Sequence, residues 1–419
     1  MRQTAQAPSE HRRVGGRRAR RTLVWSALLV AGVVAVSGCQ SSTPSAAAHD
    51  GATTSASSSP STPTVAPASL TITPADGSSS VRPDATITVT ADGGTLQDVS
   101  VRSGDGNTLE GSLNAAKTVW TADGGLRPSS TYEVSASAVN EAGQATSQTA
   151  TLTTLKPQDT ATYGIIPSGS SPVGVGMPVA IQFVTPVDAD ARAEVERRVS
   201  VTSTPAMKGA WGWLDGRQLI WRPATYWKPG TKVTVKANIA GIETRKGLWT
   251  DHDASTTFTV GDAMISTVNT KTHLMTVTRN GKVLRVLKVS TGRPGSETET
   301  RGGIKVILSR SSDYTMDSAT VGIKKGQPGY YKLDTKWAMR LTWSGEFLHS
   351  APWSVGAQGN ANVSHGCTNL APADAKWLFE QSHMGDVVKF VGSTRKLEEY
   401  NGYTMWNETL AQWAKHSAL

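Results

Sequence analysis

The sequence predicts a mainly β protein: two tandem β-sandwich domains, then a β-rich third domain with one late helix and an aromatic C-terminal extension. Three observations predict this. From Leu70 to about residue 260, apolar and polar residues alternate, as in Leu70-Thr-Ile72-Thr, Ala85-Thr-Ile87-Thr-Val89-Thr and Val179-Ala-Ile181-Gln-Phe183. A period of two marks half-buried strands, whose side chains point alternately to the two faces of a sheet. The strands are short and separated by Gly, Pro, Asn and Asp turns, the pattern of a sandwich. Finally, Trp120 and Pro128 recur 101 residues later as Trp221 and Pro229, each pair followed by an alternating strand. The economical reading is two Ig-like domains, at 68–157 and 158–260. Neither contains a dense polar constellation, so their expected role is a spacer.

The chain begins with a different composition. It has 419 residues and a net charge of +9, but seven arginines and one glutamate precede Cys39. Removing them from 42 basic and 33 acidic residues leaves 35 against 32, a net of only +3. A nucleic-acid binder carries its charge as a patch on the folded part, so no nucleic-acid partner is expected. Leu23 to Ser37 is an apolar run of 15 residues. That is short of the roughly 20 needed to span a bilayer and suits a signal-peptide core. A polytopic membrane protein is excluded. The run ends in Val36-Ser37-Gly38-Cys39, which resembles the lipobox of bacterial lipoproteins. The resemblance implies a signal at 1–38 and a diacylated Cys39 as first mature residue, anchoring the protein through lipid to the outer face of the cytoplasmic membrane. The alternative is an ordinary signal peptide with an incidental Cys. Residues 40–67 hold 13 Ser or Thr, 6 Ala and 4 Pro among 28. Such a stretch cannot offset its ordering entropy by burial, so 39–67 reads as a disordered tether.

The third domain is expected at 261–396. Asn280-Gly281 signals a hairpin between Leu274–Val277 and Val283–Val286. Ala371 to His383 reads as a helix, with Pro372 early and Asp374 in its first turn. The extension 397–419 carries Tyr400, Tyr403, Trp406 and Trp413, which need a surface to pack on. It is expected to fold back on the third domain or on its junction with the second sandwich.

The chemistry concentrates in Phe347 to Leu370. This segment holds His349, His365 and Cys367, the last being the sole cysteine besides Cys39. Two cysteines so far apart in sequence and role exclude a disulfide framework and a cysteine zinc cluster. Gly366 permits close approach to the thiol. A free thiol has a pKa of about 8.5, so it needs an imidazole to take its proton before it is a nucleophile. The competing reading is a buried structural Cys with incidental histidines. His252, His273 and His383 are isolated, no metal site is suggested, and no phosphate loop or dinucleotide fingerprint follows a strand, so no cofactor is expected.

The full string, His349-Ser350-Ala-Pro-Trp353-Ser-Val-Gly-Ala-Gln-Gly to Ser364-His365-Gly366-Cys367-Thr-Asn369, resembles the L,D-transpeptidase catalytic domain, the YkuD family. The resemblance covers about 265–395, and the whole architecture is similar to that of the mycobacterial-type enzymes. It implies that Cys367 is the nucleophile, His349 its general base, and Ser350 the residue whose carbonyl orients the imidazole. His365, Gly366 and Asn369 complete the motif beside Ser364. The amides of Gly366 and Cys367, with the Tyr331 hydroxyl, would face the oxyanion. Met316, Tyr331 and Trp353 would wall the pocket, though ordinary packing would also explain Met316 and Trp353.

The implied partners are peptidoglycan stem peptides, a donor tetrapeptide and an acceptor stem, joined as 3→3 cross-links, with carbapenem-type β-lactams as inhibitors. The alternatives are a cysteine peptidase or L,D-carboxypeptidase on wall peptides, and a non-catalytic wall-binding lipoprotein. One stretch departs from the pattern: Thr300-Arg301-Gly302-Gly303 has Arg301 where the family usually has Pro.

Overall fold

The computed structural model describes residues 65–419 except 170, 296 and 329. The expected signal, the lipidation site Cys39 and nearly all of the tether lie outside the described residues.

Two sandwiches come first. In the first, Ser69–Thr73, Thr88–Asp92, Val119–Ala122 and Gly111–Leu113 face a sheet of Thr95–Ser103, Thr131–Val139 and Ala145–Thr153. The alternation works as the sequence implies: Tyr132, Val134, Ala136 and Ala138 point inward from one strand and are all buried. The Tyr132 hydroxyl accepts the Arg127 amide at 2.7 Å, pinning the corner before its strand. In the second sandwich, Gly209–Asp215, Gln218–Pro223, Val179–Phe183 and Tyr163–Ile166 form one sheet, and Val199–Thr204, Lys232–Ala237 and Ala254–Thr259 another.

The third domain is built on a nine-stranded sheet. Its strands in chain order are β1 (Met264–Asn269), β2 (Leu274–Arg279), β3 (Lys282–Ser290), β4 (Gly303–Val306), β5 (Ser309–Asp317), β6 (Lys332–Arg340), β7 (Phe347–Ser350), β8 (Thr368–Leu370) and β9 (Val387–Val391). Across the sheet they run β4-β9-β1-β2-β3-β8-β7-β6-β5. The hairpin between β2 and β3 turns at Asn280-Gly281, both with positive φ, as a tight two-residue turn demands. The helix spans Pro372–Gln381, slightly shorter than expected, because Ser382 turns extended and bonds its hydroxyl back to the Leu378 carbonyl.

The C-terminal extension docks on the second sandwich and on its junction with the third domain. Trp413 and Trp406 are buried, and Trp406 Nε1 donates to the Gly176 carbonyl at 2.8 Å. The Trp413 ring covers Gly212, where a Cβ would meet it at 2.7 Å. This cover explains why Gln218–Pro223 is buried at every position rather than at alternate ones. Val306, Leu308 and Val387 join the same apolar cluster, so the extension links sandwich and sheet through one core. Tyr400 is the exception among its aromatics and stays 58% exposed. Sandwich and sheet also touch by backbone: Gly174 N donates to Met384 O at 2.7 Å.

Trp406→Ala removes the ring that Tyr226 contacts edge-on at 4.6 Å and that Arg222 covers at 4.9 Å. The expected cost is about 3–5 kcal/mol, read as a lowered Tm in a thermal melt. A loss below about 1 kcal/mol would mean that this contact does not hold the extension.

Candidate active site

Two parallel strands place the reacting groups. On β7 and β8, Leu348 pairs with Thr368 and His349 with Asn369, so Cys367 arrives just before β8 and beside Phe347. The turn that delivers it is locked by side chains. Ser364 Oγ donates to the Cys367 carbonyl at 2.6 Å, and Thr300 Oγ1 donates to the Gly366 carbonyl at 2.8 Å. Gly366 has φ +122°, where a Cβ is strained. Its amide was expected to face the oxyanion. It donates instead to Ser364 Oγ at 3.1 Å, because that hydroxyl sits two residues back and closes a tight turn.

His349 is buried, and its Nδ1 lies 2.9 Å from the Ser350 carbonyl. A carbonyl can only accept, so Nδ1 carries the proton and Nε2 is the basic atom. Sequence reasoning missed Thr335 on β6. Its hydroxyl donates to the same carbonyl at 2.7 Å and lies 3.2 Å from Nδ1. No local signal marks it, because the pairing of β6 with β7 is what brings it there. Burial pushes the imidazole down to about 4, only partly offset by hydrogen bonding to Ser350 and Asn369. Asn369 is held in turn by Ser354 Oγ at 2.9 Å.

Cys367 is buried, and its thiol donates to the Gly345 carbonyl at 3.6 Å. Burial pushes it up to about 12, with the Phe347 backbone pulling the other way. At neutral pH the resting site therefore holds a neutral thiol and a neutral imidazole, not an ion pair. Among the described residues no hydrogen bond joins Sγ to the His349 ring, so the thiol must turn from Gly345 to deliver its proton.

A cleft of about 520 Å³ opens on these groups. Met316, Tyr331, Trp353, Ser364, His365 and Asn369 all line it with Cys367 and His349. Met316 is also buried in a small apolar cluster with Cys367, so it both packs and walls the cleft. Trp353 is 57% exposed at the rim, its ring 5.9 Å from that of His349. Tyr331 faces His365 at 5.6 Å. Burial holds the Tyr331 phenol up at about 12, so it stays a donor. Met316 and Tyr331 come together because Ser318 bridges the two chain segments: Tyr331 N donates to Ser318 Oγ at 2.9 Å. Arg293 also lines the cleft and was not anticipated. No group of three or more His, Cys, Asp or Glu is placed to hold a metal among the described residues.

A buried thiol, an oriented imidazole and a cleft lined by both define a cysteine acyl-transfer enzyme. Residues 263–390 match the family model of the L,D-transpeptidase catalytic domain, and 78–243 match that of a bacterial Ig domain. L,D-transpeptidase 2 of Mycobacterium tuberculosis is 36% identical over 350 residues, covering 83% of this chain and 85% of that protein. L,D-transpeptidase 5 of Mycobacterium tuberculosis is 32% identical, covering 84% and 77%. A solved L,D-transpeptidase in complex with imipenem is 36% identical, with a TM-score of 0.47, over 56% of this chain and 99% of the other. The chain belongs to the L,D-transpeptidase family and is an L,D-transpeptidase with Ig-like modules.

Proposed function

We propose that this enzyme forms 3→3 cross-links in peptidoglycan through a thioester on Cys367. The carrying observation is one cleft lined by both a buried neutral thiol and an imidazole whose Nδ1 is held by the Ser350 carbonyl, which leaves Nε2 as the basic atom. His349 Nε2 takes the thiol proton as sulfur attacks the carbonyl of the third stem residue. The Cys367 amide and the Tyr331 hydroxyl serve the developing oxyanion. The C–N bond to the terminal D-Ala breaks, and the imidazolium returns its proton to the leaving amine. The side-chain amine of an acceptor stem then attacks the thioester, releasing the thiol. Water in place of that amine would give a tripeptide. Carbapenem-type β-lactams would acylate the same thiol, since their strained amide presents the same electrophile.

The test is incubation with a disaccharide-tetrapeptide followed by mass spectrometry. A dimer that has lost one D-Ala supports cross-linking. Tripeptide alone makes the enzyme an L,D-carboxypeptidase, and no product overturns both.

We place the enzyme on the outer face of the cytoplasmic membrane, held by lipid on Cys39, with the tether and sandwiches lifting the cleft into the wall. Support comes from the basic segment, apolar run and lipobox-like string at residues 2–39. Palmitate labelling of the expressed protein should vanish in Cys39→Ala, with the protein released to the medium. Unchanged labelling would move the anchor elsewhere.

A further inference from the structure

Behind the thiol lies a charge cluster that the proposed reaction does not use. The side chain of Lys305 is wholly buried and that of Glu346 is 4% exposed, and the two form a direct ion pair. Glu346 Oε1 also accepts from the Arg301 amide at 2.9 Å and from its guanidinium at 3.1 Å. Arg301 continues to Glu398 of the C-terminal extension at 2.5 Å. The Lys305 ammonium also sits 3.9 Å from the centre of the Phe390 ring on β9. Apolar residues would fill this space without any desolvation penalty, so a purely structural need does not call for charges.

Position suggests what the cluster does. Both sequence neighbours of Glu346 touch the thiol: Gly345 through its carbonyl at 3.6 Å, Phe347 through its backbone. Glu346 also borders the cysteine turn from behind, because a Cβ on Gly366 would lie 3.6 Å from Glu346 Cγ. Its own amide is tied to Thr342 Oγ1 at 2.9 Å, and its carbonyl accepts from Leu341 N at 2.8 Å. Both backbone groups of Glu346 are thus held, between the two residues that touch the thiol.

We propose that Glu346, clamped by Lys305 and Arg301, is a positioning residue that holds the Cys367 thiol in register for attack. The inference rests on Cys367 being the nucleophile. It also accounts for Arg301 in place of the usual proline: its side chain and amide both serve Glu346. The charged and titratable groups around the thiol are Glu346, which opposes its ionisation, Lys305 and Arg340, which favour it, and the Tyr331 phenol, with His349 and His365 across the cleft.

The test uses the full chain and imipenem as acylating probe, with Glu346→Gln, Lys305→Met, the double variant Lys305→Met/Glu346→Leu, and Cys367→Ala. The double variant removes both charges at similar volume and leaves Arg301 its second partner, Glu398, so it is expected to fold whatever the pair does. The maximal acylation rate should fall about tenfold or more in Glu346→Gln and in the double variant. The half-saturating imipenem concentration should stay unchanged, since Glu346 does not line the cleft. In Lys305→Met the maximal acylation rate should fall as well, because Glu346 then keeps only its Arg301 clamp. A folded double variant acylated at the wild-type rate overturns the inference, as does a folded Lys305→Met acylated at that rate. Acylation that survives in Cys367→Ala would instead overturn the reading of the nucleophile.

Discussion

Cys367→Ala should form neither an acyl-enzyme with imipenem nor a cross-linked dimer from tetrapeptide, while remaining folded. Loss of a covalent nucleophile costs on the order of 10⁶-fold in rate where it has been measured. No second thiol can substitute, because Cys39 is the only other cysteine in the chain. The folded state should tolerate the change, since alanine removes only the sulfur and its long hydrogen bond to Gly345. The variant should also lose a pH sensitivity. The thiol's folded value lies above its ordinary 9, at about 12. Its contribution to stability is therefore complete below 9 and lost as pH rises towards 12. Wild type should weaken over that alkaline range, and Cys367→Ala should weaken less. Intact-mass spectrometry reads the first result and thermal melts across pH the second. A covalent imipenem adduct on the alanine variant would remove Cys367 from the reaction.

His349→Ala should slow acylation by about 10²–10⁴-fold, the range for loss of a positioned general base. The resting site predicts the pH profile as well. With the imidazole at about 4 and the thiol at about 12, wild-type acylation should be flat through neutral pH. It should fall only as pH drops towards 4, where Nε2 becomes protonated and can no longer accept. A thiolate–imidazolium pair would also be flat near neutrality but would add a second inflection on the alkaline side, where the imidazolium loses its proton. Without His349 the thiol must ionise unaided, so the variant's rate should climb with pH up to the limit of folding. Stability has the same origin. The imidazole's folded value is depressed below its ordinary 6.5. Its stabilising contribution is present above 6.5 and lost as pH falls through about 4. Stopped-flow measurements with imipenem from pH 4 to 9 decide the matter. Acylation of His349→Ala at the wild-type rate would mean that another group takes the proton.

Much of this was legible in the chain itself. Inward positions of Thr131–Val139 follow from alternation alone, because side chains of a strand half-buried in a sandwich must alternate. Asn280-Gly281 specified its turn because few other residues accept positive φ at both central positions. His349 and Cys367 stood out because the chemistry needs those groups, and the fold brings both to one cleft, whereas Ser350 and Gly366 support them from outside its lining. Corrections came where a group had a choice of partners. The Gly366 amide could face the cleft or its own turn, and Ser364 took it.

Sequence alone determined the local rules: which strands form, where they turn, and which side chains can do acyl transfer. Tertiary structure alone decided which groups meet across long separations. Thr335 reaches the Ser350 carbonyl only because β6 lies against β7. Glu346 finds Lys305 41 residues away, and Arg301 finds Glu398 97 residues away. Every residue of Gln218–Pro223 is buried only because the extension closes over that sheet. The physical reason is range. Periodicity and turn chemistry act between neighbours in the chain. Burial, which sets the two pKa values, and ion pairing, which anchors the thiol's turn, depend on elements that approach one another only in the folded protein.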